Sequence, residues 1–320
     1  GTPKLYSYCY DYLFILLLAC PLTVVQMLFQ TFFVTASKPH LGLALTILGG
    51  VSNIVFDYLF IVVLQMGVAG AAIGTSIGYA LPAIISLLYF ALNRKGTLYL
   101  IKPVFDKNVL LKTCTNGSSE MVTNLAIAIV TLLFNKIMLK YMGENGVAAI
   151  TIVLYAQFLL TSIFMGFSSG IAPVFSYNYG NNNKVQIKKL FKMSVGIISV
   201  LSLAMFLIAI LFATPIISVF TSPDSEVFAI TYHGFFLFSI SYLFTGMNIF
   251  SSSMFTAFSN GKVSAMLSFL RTFVFLIAAL LILPELMGVD GIWLAVPIAE
   301  LLAIIVSITT IYKNKEYFQA

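Results

Sequence analysis

The sequence predicts an all-α integral membrane protein with nine transmembrane helices. Sixty per cent of its 320 residues are hydrophobic and only 9% are charged, whereas a soluble domain carries about a quarter charged residues. Nine hydrophobic runs are long enough to cross about 30 Å of hydrocarbon, which takes around 20 helical residues. The net charge of +6 is typical of the cationic loops of such a protein, so we expect no nucleic-acid partner.

The nine runs follow one another with short, punctuated connections. Prolines within long apolar runs, such as Pro82 and Pro173, favour helices, because membrane β-strands alternate in hydrophobicity over about ten residues. Ser37-Lys38-Pro39 ends the first run, and Gln65-Met66-Gly67 separates the second from the third. The runs lie near 10–34, 41–64, 68–92, 114–138, 146–176, 190–213, 228–257, 263–284 and 289–312.

A long polar connection divides the chain into two halves. Residues 1–93 hold three runs, 94–113 form a linker, and 114–320 hold six runs. Met66–Gly70 matches Met287–Gly291, and Thr35-Ala36 and Leu81 find matches at the same offset in the numbering. The repeat predicts that 1–93 are the last three helices of a six-helix amino-terminal lobe, that 114–320 are a complete carboxy-terminal lobe, and that about three helices precede Gly1.

The distribution of basic residues predicts the orientation in the membrane. The loops after runs one, three, five and seven, together with the C-terminal tail, carry 13 of the 17 lysines and arginines. Cytoplasmic loops of membrane proteins carry such an excess. We therefore expect the 94–113 linker, the long basic loops and the C-terminus to face the cytoplasm of a multi-pass cell-membrane protein.

Polar residues inside the second and third runs mark a candidate cation site. Asn53 and Asp57 are four residues apart and share one helical face. Asp57 lies nine residues before the turn at Met66 and Thr75 lies nine after it, so a hairpin brings them to the same depth. A carboxylate, an amide and a hydroxyl supply the oxygen ligands of a hard cation such as sodium, or a protonation site on Asp57. The alternative is a neutral structural aspartate, which the cost of burying a carboxylate disfavours.

Two further polar pairs lie in the carboxy-terminal half. Glu120 and Asn124 are one turn apart in the fourth run and form a possible second polar site, or Glu120 faces the cytoplasmic headgroups at the helix start. Arg271 and Glu300 lie at similar depth on adjacent antiparallel runs, and we interpret them as a structural ion pair. The sequence contains no metalloprotease, nucleophile-elbow or phosphate-loop motif, so we expect neither an enzyme nor a cofactor, and any transport to be secondary.

Four segments resemble the multidrug and toxic compound extrusion (MATE) transporters. The runs GGVSNIVFD at 49–57 and MGVAGAAIGT at 66–75 resemble the family's fifth and sixth helices, and SYNYG at 176–180 and GIWLAVPIAE at 291–300 resemble its later signatures. The resemblance implies a twelve-helix, two-lobe fold of which this chain is similar to helices four to twelve. It also implies a cation site in which Asn53, Asp57 and Thr75 join a first-helix aspartate, and a possible role for Glu120.

The resemblance implies a secondary active transporter that exports amphiphilic or cationic compounds by antiport with sodium or protons. We expect a monomer whose partners are these small substrates and the lipid bilayer. One alternative is a lipid-linked oligosaccharide flippase of the same superfamily, which we expect to line its cavity with several arginines. A second alternative is a truncated membrane protein without transport activity.

Overall fold

The computed structural model describes residues 3–318 except 95 and 103, and does not describe the side chains of residues 3–5, 7, 119, 120 and 123. All regular secondary structure in this part of the chain is helical. The helices form two compact units, Gly1–Phe105 and Asp106–Ala320, which we call the amino-terminal and carboxy-terminal units. The boundary between them lies within the predicted linker.

The amino-terminal unit consists of three long helices. They are α1 (Pro3–Thr35), α2 (Pro39–Asp57), which continues as a π-helical segment (Tyr58–Val63), and α3 (Gly67–Leu92). Gly67 has a φ of 57°, a conformation that glycine adopts without steric cost, and it turns the chain from the π-helical segment into α3. Phe29 and Phe33 of α1 pack on Phe90 of α3 and form the core at one end of the unit.

The carboxy-terminal unit begins with a 74-residue helical stretch, α4 (Lys107–Gly180), in which two helices meet at Gly143 with φ 64° and ψ −153°. Glu226–Ser239 and Tyr242–Ala257, labelled α7 and α8 below, form a helix pair bent by 54°. The helices after α4 are α5 (Lys184–Leu211), α6 (Ala213–Ser218), α7 (Glu226–Ser239), α8 (Tyr242–Ala257), α9 (Gly261–Phe269), a π-helical segment (Leu270–Phe275), α10 (Leu276–Met287), α11 (Val289–Lys313) and a short 3₁₀ helix (Lys315–Tyr317).

The first helix of the carboxy-terminal unit begins earlier than the sequence predicts. Residues 107–113, assigned above to the linker, are the first turns of α4. The physical reason is a helix N-cap: the Asp106 carboxylate accepts hydrogen bonds from the backbone nitrogens of Asn108 and Val109, at 2.8 and 3.2 Å. Aspartate is among the preferred residues at this position because it satisfies amide groups that otherwise lack partners.

The described helices have the lengths and composition of membrane spans. Seven of them are long and apolar enough to cross a bilayer, or up to eight if the bent pair α7 and α8 is one span. The side chains of α1 are mostly exposed, including Leu17, Leu18 and Val24. Such apolar outer faces suit contact with lipid.

The last three spans of each unit follow the same order. In both units an α-helix carrying a π-helical segment leads through a glycine of positive φ into a final long helix. These glycines, Gly67 and Gly288, stand at the offset of the sequence repeat. The π-helical segments do not, since they begin at Tyr58 and Leu270. The superposition of the two sets of helices stays a prediction.

Candidate functional site

Glycines bring α2 and α3 into backbone contact within the amino-terminal unit. A Cβ atom built at Gly49 would lie 2.7 Å from the carbonyl oxygen of Gly78, and one built at Gly78 would lie 2.9 Å from Cβ of Asn53. Only residues without a side chain permit this approach. As a result, polar side chains on α2 reach those on α3 directly.

Asn53, Asp57 and Thr75 form one hydrogen-bonded cluster at this contact. Nδ2 of Asn53 donates to Oδ2 of Asp57 at 3.1 Å and, more weakly, to Oγ1 of Thr75 at 3.4 Å. All three side chains are partly buried. The structure thus brings together Asp57 and Thr75, which the sequence places at one depth, and Asn53, which it places on the same helical face as Asp57.

Gly74 provides the space that the Asp57 carboxylate occupies. A Cβ atom at Gly74 would overlap Oδ1 of Asp57 and would lie 3.0 Å from the backbone nitrogen of Asp57. Oδ1 is buried and accepts no hydrogen bond from the described residues. A carboxylate oxygen with no donor is costly inside a protein, so Oδ1 of Asp57 has hydrogen-bonding capacity that the described residues leave unused.

The chemistry of the cluster is that of a single negative charge with neutral oxygen ligands. Among the described residues, Asp57 makes no ion pair, and no group of three His, Cys, Asp or Glu side chains converges on one point. One carboxylate balances one monovalent cation or one proton, and it does not balance a divalent ion. A flip of the Asn53 amide exchanges its nitrogen for Oδ1, so the same side chain can donate to the carboxylate or bind a cation.

Arg271 and Glu300 form a separate charged network in the carboxy-terminal unit. Nη1 of Arg271 donates to Oε1 of Glu300 at 3.1 Å, and both side chains are largely buried. Nδ2 of Asn248 donates to Oε2 of Glu300 at 2.6 Å and to its backbone oxygen at 2.9 Å, while Oγ of Ser307 donates to Oδ1 of Asn248 at 3.1 Å. Each carboxylate oxygen of Glu300 therefore has a donor, unlike Oδ1 of Asp57.

The possible second polar site at Glu120 and Asn124 stays a prediction. Both residues lie in α4, but the side chain of Glu120 is outside the described residues. Asn124 does make an interaction, so it is not a free polar group.

Comparison with known proteins identifies the family. Residues 121–281, just over half of the chain, match the family described as MatE. The chain belongs to the MatE family. It is accordingly a multi-pass membrane protein of a family of transporters, and not an enzyme.

Relatives and solved structures support the same assignment along nearly the whole chain. The chain is 24% identical over 313 residues to "Multidrug export protein MepA" of Staphylococcus haemolyticus, covering 96% of this chain and 67% of the relative. It is 26% identical over 316 residues to the MepA protein of Staphylococcus aureus, covering 94% and 66%. The chain thus spans about two thirds of the length of these relatives.

Two solved structures share the fold. A MATE protein in the bent conformation matches with a TM-score of 0.90 at 20% identity, over 99% of this chain and 71% of that chain. The outward-facing conformation of a multidrug resistance MATE family transporter matches with a TM-score of 0.88 at 21% identity, over 96% and 69%. At this identity the likeness shows the fold of the MatE chain and nothing finer.

Sequence reasoning missed the glycines beside the hydrogen-bonded cluster of Asn53, Asp57 and Thr75 in this MatE chain. Gly70, Gly74 and Gly78 recur every four residues along α3, a small-residue spacing typical of close helix contacts in membranes, and this signal was available. His233, which stands alone in the sequence, in fact lies 2.7 Å from Asp290; 57 residues separate the two, so no local pattern links them.

Proposed function

We propose that the chain is a secondary active multidrug exporter, which moves amphiphilic or cationic compounds out of the cell in exchange for sodium ions or protons. Membership of the MatE family and the likeness to MepA multidrug export proteins support the substrate class. The observation that supports cation coupling is that Oδ1 of Asp57 is buried and accepts no hydrogen bond from the described residues. The active unit is proposed to be a monomer in the cell membrane.

Asp57 is proposed as the coupling residue because its two states differ in charge within the membrane. When it binds sodium or a proton, the site is neutral, and Asn53 and Thr75 supply oxygen ligands to a bound sodium ion. When no cation is bound, the negative charge of Asp57 is stabilised only by the hydrogen bond from the Asn53 amide. A cation shifts the equilibrium between two conformations only by its differential affinity for them. If the site with a bound cation favours the conformation that next takes up substrate, then cation binding from outside the cell drives substrate export.

The span number and orientation follow the family's architecture in this proposal. The break at Gly143 divides α4 into two spans, and α7 with α8 forms one bent span, which gives nine spans along the chain, arranged as in a two-lobe MATE fold. The basic loops and the C-terminus face the cytoplasm, in agreement with the positive-inside rule.

The flippase alternative lacks a supporting observation in this part of the structure. The described membrane helices carry one arginine well inside a span, Arg271, and its guanidinium is held by Glu300. An oligosaccharide pyrophosphate needs cationic side chains that are free to bind it. The drug exporter is the better account, and the remaining alternative, a protein without transport activity, is an outcome of the test below.

The test is efflux of ethidium from membrane vesicles under an imposed sodium or proton gradient. Asp57→Asn keeps the shape of the side chain and removes its charge, so we expect gradient-driven efflux to fall to the background rate while ethidium binding persists. The matched control is Asp224→Asn, which alters an exposed carboxylate and is expected to transport like the wild type. Wild-type efflux in Asp57→Asn contradicts the proposal, and no efflux in the wild type favours the non-transporting alternative.

A further inference from the structure

The buried carboxylates of the two units differ in their hydrogen-bond partners. Oδ1 of Asp57 has no donor among the described residues, and Asp57 makes no ion pair within them. Glu300, which is 6% exposed, has Arg271 at Oε1 and Asn248 at Oε2. One carboxylate thus has an oxygen without a donor, whereas each oxygen of the other accepts a hydrogen bond from a protein side chain.

The two sites are also not repeats of each other. At the offset that relates Gly67 to Gly288, Asp57 corresponds to Ala278 and Glu300 corresponds to Tyr79. Neither unit retains a counterpart of the other's carboxylate. The carboxy-terminal network is therefore a distinct arrangement and not a remnant of the amino-terminal cation site.

The network around Glu300 pairs its carboxylate with one positive charge, as a bound monovalent cation would, and that charge comes from a side chain. Besides the Glu300 carboxylate, it holds Oδ1 of Asn248, which accepts from Oγ of Ser307. These are hard oxygen ligands of the kind that alkali ions accept. The positive charge beside the carboxylate is the guanidinium of Arg271.

The backbone supports Arg271 in this position. It lies in the π-helical segment Leu270–Phe275, and π-helical turns alter the direction of the following side chains relative to a regular helix and recur at functional sites. Asn248 holds Glu300 from the other side through both its carboxylate and its backbone oxygen. The carboxylate is thereby fixed between α8 and the π-helical segment.

We propose that Arg271 is a built-in cation: its guanidinium permanently occupies the place at Glu300 that a mobile sodium ion would take, so the Glu300 carboxylate needs no exchangeable ion. The ion pair itself does not depend on the proposed function. Only its consequence for transport rests on that function, namely that Asp57, and not Glu300, binds the coupling ion. We also predict that removal of the guanidinium turns the Glu300 carboxylate into a new sodium site.

The experiment measures the thermal unfolding temperature of the purified full chain in detergent, in sodium chloride and in choline chloride at equal ionic strength and pH 8.5. All variants carry Asp57→Asn, which removes the amino-terminal site from the readout. In this background we expect no sodium effect. Adding Arg271→Met is expected to lower the unfolding temperature by about 5–10 °C in choline. Sodium at ten times its Kd is then expected to restore about 3–5 °C.

Three further variants separate a built-in cation from an ordinary structural contact. Arg271→Lys keeps a positive charge and is expected to remain insensitive to sodium. Arg271→Met combined with Glu300→Gln removes both charges, and we expect it to recover most of the lost stability and to show no sodium effect. If Arg271→Met does not fold, recovery of folding in that double variant still supports charge compensation, whereas failure of both contradicts it. The third variant, Glu300→Gln alone, tests whether any sodium effect in the Asp57→Asn parent depends on Glu300.

Two results overturn the inference. One is a folded Arg271→Met variant that does not respond to sodium. The other is a sodium effect in the Asp57→Asn parent that Glu300→Gln abolishes, because Glu300 would then bind a mobile ion with Arg271 in place. Failure of the proposed function is a separate result, since it appears as unchanged transport in Asp57→Asn and does not affect these comparisons.

Discussion

Gly74 is predicted to control the proposed cation site at Asp57 although it has no side chain. In Gly74→Ala the added methyl group would overlap Oδ1 of Asp57 and lie 3.2 Å from its Cγ. The carboxylate must rotate, or α2 and α3 must separate, and forcing extra atoms into a packed interior costs about 1–3 kcal/mol. Alanine also favours the helix over glycine by about 1 kcal/mol. The net destabilisation is therefore about 0–2 kcal/mol.

Gly50→Ala is the matched control, because a Cβ atom at Gly50 on α2 meets no other atom within 4 Å. The gain in helix propensity is common to both variants and cancels when they are compared. We expect Gly74→Ala to unfold at a temperature lower by about 2–12 °C than Gly50→Ala, since 1 kcal/mol corresponds to about 2–4 °C in a domain of about 150–250 residues.

The same pair of variants tests the function of the carboxylate. Displacement of Oδ1 removes the ligand-free oxygen on which the cation site depends, so Gly74→Ala is expected to lose sodium- or proton-driven ethidium efflux in vesicles. Gly50→Ala is expected to keep it. If the two variants match each other in both unfolding temperature and efflux, the close approach of Gly74 to Asp57 does not matter, and the reasoning from the geometry is refuted.

Three other predictions concern individual residues. Thr75→Val removes one weak neutral contact, worth about 1 kcal/mol, and should raise the half-saturating sodium concentration for efflux about fivefold without abolishing transport; complete loss would contradict this. Gly234→Ala places a methyl group into the buried ring of Trp293, the chain's single tryptophan, and should shift its fluorescence to longer wavelength, whereas Gly196→Ala, with open space around it, should not. A cysteine at position 97, in an otherwise cysteine-free chain, should resist impermeant thiol reagents added outside intact cells, and efficient labelling there would reverse the proposed orientation.

The amino-terminal hairpin could be predicted from the sequence because its determinants are local. The turn near Met66 fixes how residues of α2 and α3 pair in depth, and counting nine residues on either side brings Asp57 and Thr75 together. Their contact through Asn53 follows from helix geometry. The Arg271 and Glu300 contact could be anticipated in the same way, because a short turn joins their two spans.

Other features depend on contacts that a pattern of apolar runs does not contain. The hydrogen bonds of Asn248 to Glu300 join residues 52 positions apart. Their helices are separated in the sequence by another span. The two π-helical segments, one directly after Asp57 and the other containing Arg271, change the helical register without an evident sequence signal. Hydropathy likewise places apolar runs but does not fix the exact start of α4, which depends on the capping side chain of Asp106.

The central claim is that Asp57 couples cation entry to the exit of a drug, and the coupled flux itself tests it most directly. The purified chain would be reconstituted in liposomes, and a gradient of ethidium alone would be imposed, with radioactive sodium uptake and a pH-sensitive dye as the two readouts. We predict that the ethidium gradient drives sodium or protons in the opposite direction in the wild type and that Asp57→Asn abolishes this flux. An equal ethidium-driven cation flux in Asp57→Asn would contradict the account.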